Sequence, residues 1–392
     1  MTSYAVSTPF QEIETLLAER EPAAAFDFLL EHYRAEENFP LVFETRLMKK
    51  RQELGLPLIP TESLNGLDTE TQRAYDEGSM EAAREVGGLF LAKGDLGRAW
   101  PYYRAVGEIT PIRDAIEAIL PADGSENLDD VIQVAFNEHV HPKKGFELIL
   151  ANHGTCRAIT CFGQYPAVEG REESARLLIE TLHSEIVANM KRVIKEKDGT
   201  APDTESLPEL MEGRDWLFEG NCYYVDTSHV GSCIQFGPDL HDEASLRLLI
   251  ELAEYGKRLS EMFQYAGEAP FENLYEDYGV YLRCLVGEDV YEGIRYFREK
   301  VASYHPDEIG SAPGQVVVKL LVRLDRFAEA IEVFDQFLTD ADPAYLSCPN
   351  RIQLCQMGGR FDELQKSAEA KGDLLTFAAA RLQAKSADSP AS

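Results

Sequence analysis

The sequence predicts an all-α fold built from antiparallel helix pairs. Apolar residues recur at three- and four-residue spacing along almost the whole chain of 392 residues, whereas alternating strand patterns are scarce. Turn residues interrupt this pattern at short intervals, for example at Gly94-Asp95, Gly107 and Pro111. Helices of roughly 10 to 15 residues joined by short breaks are typical of helical hairpins. A chain of this length exceeds one comfortable hydrophobic core, which predicts two or three domains or one elongated array.

Three segments share a spacing of small, aromatic and turn residues that suits two closely packed helices. Segment 81–111 has this pattern at Gly87, Phe90, Gly94, Leu96, Ala99, Tyr103 and Pro111. Segment 316–343 has it at Leu321, Asp325, Phe327, Ala330, Phe334 and Pro343, and a less complete copy follows at Gly359, Phe361, Leu364 and Ala368. The pattern resembles the tetratricopeptide repeat. The resemblance implies a right-handed α-α superhelix, a tetratricopeptide-like solenoid, whose concave face binds partners.

The middle of the chain departs from this pattern and predicts an irregular helical central region. A long helix is expected over 172–195, with its apolar stripe at Ala175, Leu178, Leu182, Ile186, Met190 and Val193. The stretch 222–225 is also compatible with a short strand. Polar segments at 121–126 and 306–314 interrupt the helical pattern and are the expected domain boundaries. We therefore predict N-terminal hairpins over 1–126, a His-rich central region over 127–305, C-terminal repeats over 306–385 and a disordered tail over 386–392.

The charge balance excludes two classes of partner. The chain has 38 basic and 68 acidic residues, which give a formal net charge of -30. Such a field repels nucleic acid and anionic membranes, because phosphate binding depends on clustered Lys and Arg, and it favours a basic protein or peptide partner. No window approaches the roughly 18 apolar residues of a membrane span, and the first residues lack the pattern of a signal peptide. Seven cysteines without a Cys-x-x-Cys pair indicate reduced thiols and a cytoplasmic location.

The histidines of the central third suggest a metal site. Six of the eight histidines fall between residues 139 and 241, and three of them follow a carboxylate by three residues. These pairs are Glu138 with His141, Glu180 with His183, and Asp226 with His229. Residues i and i+3 share a face of a helix, and mixed imidazole and carboxylate ligands suit Zn, Fe or Mn. We predict that these six residues bind a divalent metal directly or orient its imidazole ligands.

Each of these residues also has a simpler interpretation. His183 lies on the apolar face of its helix, where a histidine is commonly a hydrogen-bonded core residue. Asp226 precedes Thr227-Ser228 in the manner of a helix N-cap. His139 and His141 are two apart, so on one helix only one of them can join a shared site, and Pro142 could end that helix and free His141. The aromatic stretch from Trp216 to Tyr224 could line a pocket or fill the core.

Two functions from different classes follow from these observations. In the first, the central metal site activates water or holds a substrate oxygen, so that the protein is a metal-dependent enzyme. In the second, the protein is a non-catalytic scaffold that binds peptides along its repeat groove. A nucleotide cofactor is not expected, because the chain has no Gly-rich phosphate loop; Gly-x-Ser-x-Gly and His-Glu-x-x-His are also absent.

Overall fold

The computed structural model describes residues 8–19, 22–59, 67–121, 127–165 and 169–387, and twenty α-helices occur within these ranges. The first ten helices are α1 (Pro9–Glu19), α2 (Pro22–Ala35), α3 (Phe39–Glu53), α4 (Thr69–Ala92), α5 (Leu96–Val106), α6 (Thr110–Glu117), α7 (Leu128–Ile132), α8 (Pro142–Gly163), α9 (Arg171–Asp198) and α10 (Leu207–Met211). The others are α11 (Thr227–Ile234), α12 (Glu243–Arg258), α13 (Leu274–Leu285), α14 (Val290–Ser303), α15 (Pro306–Ile309), α16 (Ala312–Arg323), α17 (Phe327–Phe337), α18 (Arg351–Met357), α19 (Phe361–Lys371) and α20 (Leu374–Ala387).

The all-α prediction is confirmed for the residues in these ranges. None of them lies in a β-strand, and one isolated antiparallel bridge joins Ala266 to Asn273. The short-strand interpretation of 222–225 is wrong, because these residues form an irregular connection after a 3-10 helix (Asp215–Asn221). No helix within the described part of the chain is both long enough and apolar enough to cross a membrane.

The chain divides into two compact units, Met1–Arg171 and Glu172–Ser392. This division falls inside the predicted central region. Of the two predicted boundaries, 122–126 lies outside the described residues, and 306–314 contains the short helix α15 and the start of α16. The predicted tail begins within α20, and its remainder, 388–392, lies outside the described residues. The four-part division of the sequence stays a prediction.

In the first unit, α4 and α5 form the hairpin expected at the first repeat-like segment. The side chains of Phe90, Ala99 and Tyr103 are buried at the crossing. A Cβ atom on Gly87 would lie 2.9 Å from the Tyr103 ring, so the small residue is required for this close approach. Asp95 begins α5 by accepting a hydrogen bond from Arg98 N at 3.0 Å.

The second unit begins with α9, whose observed extent agrees with the expected long helix. Its apolar stripe is fully buried at Leu178, Leu182, Ile186 and Met190. Further along the chain, α16 and α17 form the hairpin of the second repeat-like segment. Leu321 and Ala330 are completely buried there, and Phe334 is 8% exposed.

Candidate functional site

The first predicted ligand pair, Glu138 and His141, does not lie on one helix. α7 continues into a π-helical turn (Gln133–Asn137), Glu138 ends this turn, and His141 is the N-cap of α8. Glu138 Oε2 accepts hydrogen bonds from Arg104 at 2.9 Å and from Trp100 Nε1 at 3.3 Å. His141 Nε2 lies 2.8 Å from a carboxylate oxygen of Glu117. Each residue of the pair therefore has its own partner within the first unit.

The second pair, Glu180 and His183, lies on α9 but faces two environments. Glu180 is exposed, whereas His183 is only 6% exposed. His183 Nε2 is 2.9 Å from Glu251 Oε2, and the same oxygen accepts a hydrogen bond from Leu207 N at 2.8 Å. This arrangement is that of a hydrogen-bonded core histidine, which was the simpler interpretation.

The third pair, Asp226 and His229, lies at the start of α11. Asp226 Oδ1 accepts hydrogen bonds from Ser228 N at 2.9 Å and Ser228 Oγ at 2.6 Å, as an N-cap does. These hydrogen bonds, together with the nearby His229, hold the pKa of Asp226 below its usual value. His229 is half-buried.

Wherever the structure describes the chain, no three His, Cys, Asp or Glu side chains form a group that could hold a metal ion. The predicted Zn, Fe or Mn site thus stays a prediction, without support from the geometry of its residues.

A cluster of exposed aromatic and methionine side chains lies beside the third pair, and we call it the aromatic surface. It consists of Tyr223, Met262, Phe263 and Tyr265. Tyr223, Met262 and Tyr265 are 54%, 67% and 43% exposed, and Phe263 is half-buried. The Tyr223 and Phe263 rings pack edge to face with their centroids 5.2 Å apart. Exposed aromatic residues and methionine are the types enriched at protein interfaces.

Hydrogen bonds fix the backbone that carries Tyr223. The next residue, Tyr224, donates its amide hydrogen to Tyr255 Oη at 2.9 Å and its hydroxyl hydrogen to Leu217 O at 2.8 Å. Asn189 of α9 donates to Tyr224 O at 2.8 Å. Burial raises the pKa of Tyr224 to about 12, so its hydroxyl stays protonated and remains a donor at neutral pH. Tyr223 is therefore held in its exposed position.

The loop 260–273 carries the other three members and is fixed in a similar way. Gln264 Nε2 donates to Gly256 O and Leu259 O, each at 2.9 Å. The hydroxyl groups of Tyr265 and Thr227 lie 3.0 Å apart, which joins the loop to the start of α11. The aromatic surface is thus preorganised by polar contacts from several elements.

A buried charge cluster holds the end of this loop. Asp277 is completely buried and accepts hydrogen bonds from Lys300 and Tyr296, each at 2.6 Å. It also accepts one from Asn273 N at 2.7 Å. Lys300 Nζ lies 2.8 Å from Glu272 as well, and this contact helps to hold the pKa of Glu272 below its usual value although burial would raise it. The cluster connects the loop to α13 and α14.

The charges around the aromatic surface are negative and unbalanced. Segments 215–246 and 259–282 contain no lysine or arginine. Four exposed carboxylates lie within four residues of a member of the surface, and none of them has an ion-pair partner among the described residues: Glu219, Asp226, Glu261 and Glu268. Other carboxylates of the same segments do have partners, such as Asp215 with Arg258 and Glu276 with Lys257. The aromatic surface therefore has aromatic rings and, nearby in the sequence, carboxylates that no described lysine or arginine neutralises.

Two open grooves elsewhere in the second unit are lined by charged side chains of both signs. One of about 560 Å³ runs along α17, α18 and α19, and Arg351 in its wall donates to Asp335 at 2.7 Å. Another of about 470 Å³ lies on α13 and α14, where Arg283 pairs with Glu254. Basic and acidic side chains mix in each wall, and none of the aromatic residues in these walls is exposed, so these grooves are weaker candidates.

The aromatic surface is only partly evident from the sequence. Tyr223 belongs to the stretch for which pocket and core were both considered, and the residues from Met262 to Tyr265 were not singled out. The signal that could have found the site is the absence of lysine and arginine from 215–246 and 259–282, since each segment also contains several aromatic residues.

Comparison with known proteins gives no family. No protein-family model matches the chain, and no curated protein or solved structure matches it.

Proposed function

We propose that this protein is a non-catalytic interaction scaffold that binds a basic peptide segment of a partner protein on the aromatic surface. One observation carries the proposal: exposed aromatic side chains on connections fixed by hydrogen bonds lie within four residues of carboxylates that have no ion-pair partner among the described residues. Aromatic rings attract the cationic groups of Lys and Arg, and carboxylates supply the complementary charge.

Electrostatics also argue against a second copy of the chain as the occupant. Two aromatic surfaces brought together would place Glu219, Asp226, Glu261 and Glu268 of one copy near the same carboxylates of the other. Like charges held together at an interface are destabilising. The net charge of -30 adds repulsion between copies at low salt and attraction for a basic partner.

The proposal includes a tetratricopeptide-like solenoid as the scaffold and the cytoplasm as the compartment. Helix pairs are present at the repeat-like segments, and most helices from α12 to α20 pack against their neighbours in the chain, which is the contact pattern of a repeat array. All seven cysteines are free thiols, which is compatible with a reducing compartment. A metal-dependent reaction is the less favoured function, because His141 and His183 already contact Glu117 and Glu251.

The test is a binding titration with two labelled peptides of the same length. One alternates leucine with arginine and lysine, and the other has glutamate at every basic position. Fluorescence anisotropy at about 150 mM salt, where the Debye length is about 8 Å, suppresses long-range attraction. We expect the wild-type protein to bind the basic peptide and not the acidic one. The double variant Tyr223→Ala/Tyr265→Ala should bind the basic peptide about tenfold more weakly than the wild type does, because two cation–π contacts are lost.

The matched control is Tyr345→Ala, which removes a tyrosine that is 78% exposed on another part of the second unit. This variant should bind as the wild type does. Equal binding of the basic and acidic peptides, or equal affinity in the wild type and the double variant, would refute the proposal.

A further inference from the structure

One oxygen of the Asp226 carboxylate is available to a ligand. Both hydrogen bonds of the N-cap end on Oδ1, from the amide and the hydroxyl of Ser228. Oδ2 accepts no hydrogen bond from any residue that the structure describes, and Asp226 is exposed. The cap fixes the direction of the carboxylate while leaving this second oxygen open.

The ring of Tyr265 is fixed against the start of α11, the helix that Asp226 caps. Its hydroxyl lies 3.0 Å from Oγ1 of Thr227, the residue that follows Asp226. A Cβ atom added to Gly231, one turn further along α11, would lie 3.9 Å from the edge of the ring. Tyr265 is nevertheless 43% exposed, so part of its ring remains open to solvent.

We propose that Asp226 and Tyr265 form a subsite that selects an arginine side chain of the bound peptide over a lysine; this inference rests on the proposed function. A guanidinium group is planar, stacks on aromatic faces and presents a row of N–H donors to a carboxylate. It is also more weakly hydrated than an ammonium group, so it loses less by leaving water for the ring face. A lysine ammonium gains the charge attraction but not the stacking.

The experiment compares three peptides that are identical except at their basic positions, which contain only arginine, only lysine or only citrulline. Citrulline keeps the shape of arginine without its charge. We expect the wild-type protein to bind the arginine peptide about fivefold more tightly than the lysine peptide and to bind the citrulline peptide most weakly. Anisotropy titrations of each peptide measure these ratios directly.

Asp226→Asn is the test variant, because asparagine is an equally good N-cap and should preserve α11. The preference for arginine over lysine should fall to about twofold or less in this variant, because an NH2 group, which only donates hydrogen bonds, replaces the open acceptor oxygen. The control is Asp68→Asn at the N-cap of α4, where Asp68 also accepts hydrogen bonds from a backbone amide and a hydroxyl and is exposed. This control should keep the full preference. Tyr265→Leu should reduce the preference as Asp226→Asn does, and circular dichroism checks that each variant is folded.

The outcomes separate this inference from the proposed function. Tight binding of the arginine and lysine peptides with equal affinity would overturn the arginine subsite while leaving the scaffold proposal intact. An unchanged preference in Asp226→Asn would overturn the role of Asp226. Absence of binding by all three peptides would overturn both proposals.

Discussion

The α16–α17 hairpin and the segment 215–273 differ in what holds them in place. In the hairpin, helices pack through apolar side chains at regular spacing, with Leu321 and Ala330 completely buried. In the segment, side chains from distant elements hold irregular backbone: Asn189 donates to Tyr224 O, and Arg323 donates to Pro238 O and Leu240 O. The hairpin depends on the hydrophobic effect, whereas the connections between the helices of the segment also depend on hydrogen bonds that satisfy carbonyl groups outside regular helices.

This difference explains where the candidate site lies. A regular helix directs its apolar face to a neighbour, so large aromatic residues on it become buried. Irregular backbone can present a ring to solvent, provided that polar contacts fix its position. Tyr223 and Tyr265 are exposed under these conditions, whereas Phe334 in the hairpin is almost completely covered. Binding residues commonly lie on connections that a rigid scaffold positions.

The largest expected effects come from two substitutions, one that removes a buried ion pair at the end of the segment and one that removes an aromatic core residue of the hairpin. Lys300→Met removes the cation that pairs with Asp277 and Glu272. Because Asp277 is completely buried, its charge would lose its compensation, and we expect unfolding free energy to fall by about 3–5 kcal/mol. Phe334→Ala in the hairpin should cost a similar amount, about 3–5 kcal/mol. Urea denaturation followed by circular dichroism measures both.

The control for this comparison is Lys319→Met, because Lys319 is exposed on α16. Its effect should stay within about 0.5 kcal/mol. A cost below about 1 kcal/mol for Lys300→Met would mean that apolar packing alone holds the segment.

A smaller effect is expected when a methyl group is added to a glycine in each region. A Cβ atom on Gly256 would overlap the ring of Tyr275, which is 1% exposed and cannot move aside. Gly256→Ala should therefore lower the free energy of unfolding by about 1–3 kcal/mol. On Gly314 of the hairpin, a Cβ atom would lie 3.1 Å from a terminal methyl carbon of Leu338. The higher helix propensity of alanine should offset this crowding, so Gly314→Ala should change stability by less than about 0.5 kcal/mol.

Thermal and urea denaturation of these two variants give the comparison directly. Equal destabilisation by both substitutions would contradict the view that the contact between α12 and Tyr275 is the tighter one.

The smallest expected effect concerns pH. Burial would raise the pKa of Glu254, but hydrogen bonds from Lys257 and Arg283 outweigh burial and hold this pKa below 4.5. Because the folded pKa is below the unfolded one, this contribution is present above about pH 4.5 and is lost as pH falls through the folded value. Glu254→Gln should cost less than about 1 kcal/mol at neutral pH, since the carboxylate is partly exposed to solvent.

The measurement is the urea midpoint of wild type and Glu254→Gln between about pH 7 and pH 3. The difference between the two should shrink as pH falls below about 4.5. Glu363→Gln, which removes the partner of Arg360 in the C-terminal part, should have the smaller effect because that pair is more exposed to solvent than the pair of Arg283 with Glu254. A difference that grows towards acidic pH would show that the pKa of Glu254 is raised instead.

The features that depend on local periodicity can be predicted from the sequence. The apolar stripe of α9 is determined by residues three and four apart, so Leu178, Leu182 and Ile186 predicted the buried face correctly. The metal-ligand pairs were chosen by the same local spacing, but partners elsewhere in the sequence determine what these side chains do. His183 contacts Glu251, which is 68 residues away in the sequence. The exposure of Tyr223 likewise depends on Asn189 and Tyr255, and no spacing within 215–236 contains that information.

The rigid attachment of the aromatic surface has a consequence for the speed of recognition. Because Asn189, Tyr255 and Gln264 already hold the connections that carry its rings, a partner need not wait for a segment to become ordered. In the proposed complex, the encounter itself would then limit the rate of association, and the carboxylates without ion-pair partners would accelerate the encounter with a basic peptide. Added salt should therefore slow association far more than it hastens dissociation.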